Sequence, residues 1–343
     1  MVLPRNWGST IAKSDSVRRA KRRRTKALGV AVRKIDDMTK KNGQKKRESS
    51  DAALLKVKER IDHVSRKRPS HKAAITFFKG IITEKIRAKA GVEVESVEMD
   101  ESVLNVKRNE GFPLVDKRDL KLDISSATAL FKRLCKQLKE NEKVSQDMDR
   151  IMEAVDSGEL DLEELFKKAA AEDDEYMVDL SDRFKLQRGL LFFVAENSLQ
   201  PTFEAYADKL KDYVDQEKWW RSYCPICGSK PVMAELIGRK RKKFLICSCC
   251  GYEWRYMRTK CPFCENEERR NFKYFFAEKE GRAYRVETCQ KCKKYIKTVD
   301  TEELDEEVIP SVDDIGTLYL DVLAQKEGYT REVHPLGLNL GDL

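Results

Sequence analysis

No apolar run in the 343-residue sequence approaches the roughly 20 residues that span a bilayer, so membrane insertion is not expected. The basic stretch "VRRAKRRRTKALGVAVRKIDD" is not followed by the apolar segment that a signal peptide, a twin-arginine one included, requires. The expected location is therefore the cytoplasm. Three nucleotide-binding or hydrolase signatures are also missing: the G-x-x-x-x-G-K-[ST] phosphate loop, the G-x-G-x-x-G fingerprint and the G-x-S-x-G elbow. Aromatic residues are scarce at the front, where Trp7 is the only one among the first 76. Histidine occurs three times, as His63, His71 and His334, and none has metal-ligand spacing. These absences point away from an enzyme.

Charge is plentiful but uneven. Residues 1–90 hold 27 Lys/Arg against 8 Asp/Glu, so the remaining residues carry a net charge of about −10. Residues 1–50 have few apolar side chains and no sustained helical stripe, which predicts a disordered basic arm. Contact with nucleic acid through counterion release is one role for such an arm. A solubilising tail is the plainer one, because no aromatic residues are interleaved for base stacking.

From residue 51 the pattern becomes helical. Leu54, Leu55, Val57, Ile61 and Val64 share one helix face, with Asp51 as the expected N-cap. Ile75, Phe78, Ile82 and Ile86 form a second face, and Leu130, Leu134 and Leu138 a third, beside which Cys135 reads as a core thiol. "GFPLVDKRDLKLD" reads as an ordered loop broken by Gly111 and Pro113. "DMDRIMEAV", "LEELFKKAAA" and "LQRGLLFFVAENSL" continue the helical style; Pro201 is expected to end the last of them and start another through Trp219. No convincing run of period two occurs between residues 51 and 218, so that segment is expected to be all-helical.

At Trp219–Trp220 the character changes. "PVMAELI", "KKFLIC", "NFKYFFA", "AYRVET" and "KYIKTV" are short, rich in aromatic or β-branched residues, and separated by turns around Gly238 and Gly281. Such strands bury little apolar area, and another force must hold them. Nine of the ten cysteines lie here. Four C-x-x-C pairs occur in order: Cys224/Cys227, Cys247/Cys250, Cys261/Cys264 and Cys289/Cys292. In a reducing cytosol such pairs read as metal ligands rather than disulfides. The spacing predicts two sequential four-sulfur sites, each closed by a hairpin, holding two metal ions, either iron or zinc. Gly228 and Gly251 follow their pairs, whereas Glu265 and Lys293 take the corresponding places in the second site. Cys249 is the odd thiol, and the two-residue spacing favours Cys250 as the ligand.

The expected class is thus α+β, with a basic arm at 1–50, a helical domain at 51–218 and a double metal-ribbon domain at 219–343. The last segment, "SVDDIGTLYLDVLAQKEGY", is expected to form one helix that packs Ile315, Leu318, Tyr319 and Val322 against the ribbons, with docking on a partner as the alternative and Gly328 as its C-cap.

The run "CPICGSKP…FLICSCCGYEWRYMRTKCPFCENEE…ETCQKCKKYIKTVD", with the later "DDIGTLYLDVLAQKEGYTRE", resembles the formate dehydrogenase accessory proteins of the FdhE family. The likeness includes Glu253–Trp254, Arg258, the segment Tyr295, Ile296 and Lys297, and Asp313–Asp314, and extends over about residues 70 to 335. The arm at 1–50 departs from it. The resemblance implies a helical domain followed by two rubredoxin-like metal knots. It also implies a cytoplasmic maturation factor, not itself an enzyme, that binds the Tat-exported catalytic subunit of a respiratory formate dehydrogenase, with the Tat signal segment a further candidate contact. Only the eight paired cysteines carry over as ligands. Two other readings stand beside this one. "GRKRKKF" at Gly238 to Phe244 and the basic arm suit a zinc-ribbon nucleic-acid-binding protein, and the all-sulfur ligation suits a rubredoxin-like electron carrier.

Overall fold

The structure is a computed structural model that describes residues 48, 50–68, 72–187, 189–278, 281–304 and 307–333. The arm expected at 1–50, apart from residues 48 and 50, lies outside these residues, as do His71 and His334. Ala53–Leu343 form one compact unit. No helix among the described residues is long and apolar enough to cross a membrane.

Helices come first. They are α1 (residues 50–67), α2 (Lys72–Gly91), α3 (Glu101–Glu110), α4 (Ile124–Leu138), α5 (Ser145–Asp156), α6 (Leu162–Ala170), α7 (Asp174–Arg183) and α8 (Leu190–Leu210). Asp51 lies inside α1 rather than capping it. Aspartates cap several of the others: Asp100, Asp123, Asp161 and Asp173 each accept a backbone N–H from the first turn they precede. The apolar stripe of α4 puts Leu130, Phe131, Leu134 and Cys135 at zero exposure, and burial pushes the Cys135 thiol up to about 12.

Pro201 does not divide two helices, because α8 runs straight through it to Leu210. A proline removes one backbone hydrogen bond. Here α8 packs against α2, α4 and α6 on several sides, and the apolar area buried along its length outweighs that loss. The chain then leaves the helix in a short 3₁₀ turn at Lys211–Tyr213 instead of continuing to Trp219.

The second half builds one sheet. Strands β1 (Pro231–Ile237), β2 (Lys242–Cys247) and β3 (Glu253–Tyr256) form one antiparallel ribbon, and β4 (Phe272–Phe275), β5 (Tyr284–Cys289) and β6 (Lys294–Asp300) form another. The ribbons fuse through a parallel pairing of β1 with β6, from Met233↔Lys297 to Leu236↔Asp300, and β7 (Thr330–Arg331) adds to the start of β6. One sheet face buries Met233, Val286, Tyr295 and Val299 against the C-terminal helices. The other puts Ala234, Leu245, Trp254 and Ile296 into the same core as the α4 and α8 side chains. The change from helix to strand near residue 219 therefore occurs without a break in packing.

The C-terminal segment packs within the chain but is two short helices, α9 (Pro310–Gly316) and α10 (Leu318–Lys326), broken at Thr317. Of the expected stripe, Ile315 is buried but Val322 is 47% exposed, and the inward side of α10 is instead Leu320, Asp321 and Ala324. Buried charge explains the difference. Asp313 receives Arg60 of α1 and the Tyr284 hydroxyl, while Lys297 Nζ sits 2.8 Å from Asp314 and 2.7 Å from Asp321, both of which also pair with Arg331. These pairs turn the acidic face of both helices toward the sheet.

Candidate metal centres

Three of the four C-x-x-C pairs close the same hydrogen-bonded turn, while in the second the Cys250 N–H donates to the Cys247 sulfur. The N–H four residues beyond the leading cysteine returns to that cysteine's carbonyl: Gly228 to Cys224 at 2.9 Å, Glu265 to Cys261 at 3.1 Å and Lys293 to Cys289 at 2.9 Å. The residue closing each turn is left-handed, with φ 76° at Gly228, 68° at Gly251, 55° at Glu265 and 58° at Lys293. That conformation costs an L-residue about 1 kcal/mol. The second site adopts it with Glu and Lys, so the turn geometry is imposed there against local preference.

The turns converge on two clusters. Cys224, Cys227, Cys247 and Cys250 form the first, and Cys261, Cys264, Cys289 and Cys292 the second, with the sulfurs of each set within 4.8 Å of one another. Sulfur–sulfur distances are 3.6 Å for Cys224–Cys250, 3.5 Å for Cys227–Cys247 and 3.7 Å for Cys227–Cys250. In the second cluster they are 3.8 Å for Cys261–Cys292 and 3.7 Å for Cys264–Cys289. A disulfide requires about 2.05 Å. A tetrahedron of sulfurs about 2.3 Å from a central ion has an edge of about 3.8 Å, so both sets fit a four-thiolate ion.

A cation would relieve the repulsion among thiolates this close. Burial pushes the Cys224 thiol up, and hydrogen bonding with Cys224 pushes Cys250 up, while Cys227 is held down by hydrogen bonds from Cys224 and Cys247. Thiols alone would thus ionise one at a time, and a bound ion is what makes four thiolates stable together. An ion held by all four sulfurs would have no vacancy for water or substrate. The first cluster is fully buried, whereas Cys264 and Cys292 of the second are half-buried. Cys249 lies outside both clusters, half-buried on the wall of a small cavity shared with Lys117 and Glu196.

The loop read as "GFPLVDK" docks directly on the first knuckle. Leu114 N–H donates to the Pro225 carbonyl at 2.8 Å, Val115 N–H to that of Ile226 at 3.0 Å, and the Tyr223 hydroxyl to that of Gly111 at 2.7 Å. Gly111 caps α3 at φ 78°, and a Cβ there would come within 2.5 Å of Arg221 Nε. Trp254 donates its indole N–H to the Arg221 carbonyl at 3.1 Å, which closes the connection between loop, knuckle and sheet. His63 is half-buried beside a cavity of about 500 Å³. The buried charged groups escaped the sequence reading, since an isolated Lys or Asp in a short strand or helix reads as solvent-facing.

Residues 223–258 match the FdhE central domain and residues 259–338 the FdhE C-terminal domain, a division that assigns one cysteine cluster to each. Over 145 residues the chain is 37% identical to an FdhE homologue from Aquifex aeolicus, covering 41% of this chain and 50% of that protein. Over 113 residues it is 36% identical to protein FdhE of Salmonella choleraesuis, covering 32% of this chain and 36% of that protein. The aligned segment is thus half, or less, of these relatives' length. The crystal structure of the FdhE protein from Pseudomonas aeruginosa superposes with a TM-score of 0.59 over 84% of this chain and 96% of that one; at 22% identity this likeness concerns the fold. The match to the FdhE family thus lies in residues 223–338, about a third of the chain, where both cysteine clusters sit.

Proposed function

We propose that the chain is an accessory factor for the assembly of formate dehydrogenase, working in the cytoplasm by binding the enzyme's catalytic subunit before Tat export. The observation that carries this reading is the pair of closed four-sulfur knots, each within an FdhE domain and both locked into one sheet. Closed sites suit a binding scaffold better than a reaction centre. Cys224, Cys227, Cys247 and Cys250 would hold one ion and Cys261, Cys264, Cys289 and Cys292 the other, iron or zinc in each. The ions would supply folding free energy to ribbons whose strands are only four to seven residues long. The loop at Gly111 to Lys117, seated on the first knuckle, would pass any change at that ion to the helical half.

The test is affinity purification of the tagged chain from its own anaerobically grown cells at high salt, paired with formate dehydrogenase assays in a deletion strain. The reading expects the catalytic subunit, Tat signal still attached, among the bound proteins, and loss of formate dehydrogenase activity on deletion. Normal activity in the deletion strain would refute it.

A further inference from the structure

Between residues 238 and 298 the sequence holds 18 Lys/Arg against 7 Glu, opposite in sign to the surrounding chain. The fold gathers part of this surplus around a groove of about 280 Å³ on the sheet, beside the second cysteine cluster. Seven of its lining residues are Lys or Arg and one is a carboxylate, Glu287. That carboxylate is already engaged. Lys243, 3% exposed, reaches it at 2.7 Å and Arg285 at 2.9 Å, so the floor retains one positive charge more than it can neutralise.

The rim divides into two kinds of cation. Arg241 pairs with Asp300 and Glu303, Lys260 with Glu265, and Lys294 with Glu332. Arg258 and Lys273 are exposed and have no carboxylate within ion-pair distance among the described residues. Between them the wall is apolar and aromatic, with Phe263 and the 64%-exposed ring of Tyr274, over which the Arg285 guanidinium lies at 5.2 Å. The wall strand β4 is also an edge strand, paired only with β5 among the described residues.

We propose that this groove binds an extended acidic segment of a partner protein, lying along β4 with its carboxylates toward Arg258, Lys273 and the cationic floor. Charge complementarity selects an anionic occupant, and an edge strand offers main-chain pairing to an extended peptide. Single-stranded nucleic acid fits less well, because it requires successive bases on successive rings. Here one ring is exposed, and Arg285 covers one of its faces. The inference stands on the groove's own chemistry, whichever protein supplies the segment.

The test uses the full, metal-loaded chain and fluorescence anisotropy with three labelled probes: a peptide alternating glutamate and valine, one alternating lysine and valine, and a poly(U) RNA. The acidic peptide binds, the basic one does not, and Arg258→Glu with Lys273→Glu lowers affinity for the acidic peptide roughly tenfold or more. Metal content and circular dichroism serve as controls for folding, and the milder Arg258→Gln with Lys273→Gln pair gives the same direction if the reversal unfolds the chain. Three results each overturn the proposal: no binding of the acidic peptide, equal binding by folded variants, or tighter binding of RNA than of the peptide. Such a failure leaves the assembly reading standing, since that reading is tested by co-purification and deletion.

Discussion

Replacing Lys297 with methionine tests whether the buried charges between sheet and C-terminal helices hold the fold together. Lys297 is 1% exposed, and its ammonium donates to Asp314 Oδ1 at 2.8 Å, Asp321 Oδ2 at 2.7 Å and the Asp314 carbonyl at 2.7 Å. Arg331 is the second cation, 2.6 Å from Asp314 and 3.1 Å from Asp321, and Tyr295 donates to Asp321 at 2.7 Å. Two cations thus face two anions in a site closed to water. Burial opposes the charge on Asp314, but Arg331 and Lys297 hold its carboxyl below the usual range. Methionine keeps much of the volume and removes one positive charge, leaving an uncompensated buried carboxylate. Breaking such a set costs about 3–5 kcal/mol, against about 0–1 kcal/mol for an exposed pair. The assay is urea unfolding of the metal-loaded chain followed by far-ultraviolet circular dichroism. Adding Asp321→Asn to Lys297→Met restores neutrality and should recover more than about 1 kcal/mol relative to the sum of the single losses. A loss below about 1 kcal/mol for Lys297→Met, or simple additivity in the double variant, would mean that these buried charges do not hold the sheet and helices together.

Other expectations follow from single residues. Glu235, 6% exposed, is pushed up to about 7 by burial and then by Glu253 and Asp313. Its folded value lies above its unfolded one, so the stability it contributes below about pH 4.5 is lost as pH rises through about 7. Glu235→Gln should therefore be more stable than the parent at pH 8 by roughly 1–3 kcal/mol and flatter from pH 5 to 8, whereas parallel pH profiles would contradict this. Gly111→Ala meets both a left-handed φ of 78° and the Arg221 side chain, and should cost about 1–2 kcal/mol in chemical unfolding. Cys249→Ser should retain both ions by elemental analysis, while Cys250→Ser should lose the first; the reverse pattern would exchange their roles.

The cysteine arithmetic was the most legible feature, because pair spacing and hairpin length constrain geometry locally. The five quoted strands and the stripes of α2 and α4 were legible for the same reason, since each is a local period of apolar residues; the α1 stripe holds at Val57, Ile61 and Val64 but not at Leu55, which is 57% exposed. Two short helices were not: α3 buries only Leu104, and α7 Met177, Leu180 and Ser181, too little to set up a period. The parallel pairing of β1 with β6 joins strands more than fifty residues apart and leaves no local trace. Thr317 breaks the expected C-terminal helix because its hydroxyl turns back to the carbonyls of Asp313 and Asp314. The inward faces of α9 and α10 are acidic because Arg60, Lys297 and Arg331 wait for them, which no window around residue 315 contains.

Two filled four-sulfur sites are the central feature expected of this molecule. Elemental analysis of the anaerobically purified chain, combined with X-ray absorption at the metal edge, tests it directly. The expected result is two ions per chain, each surrounded by four sulfurs at about 2.3 Å. One ion or none, oxygen or nitrogen in the coordination shell, or sulfur–sulfur bonds in place of a metal would contradict it.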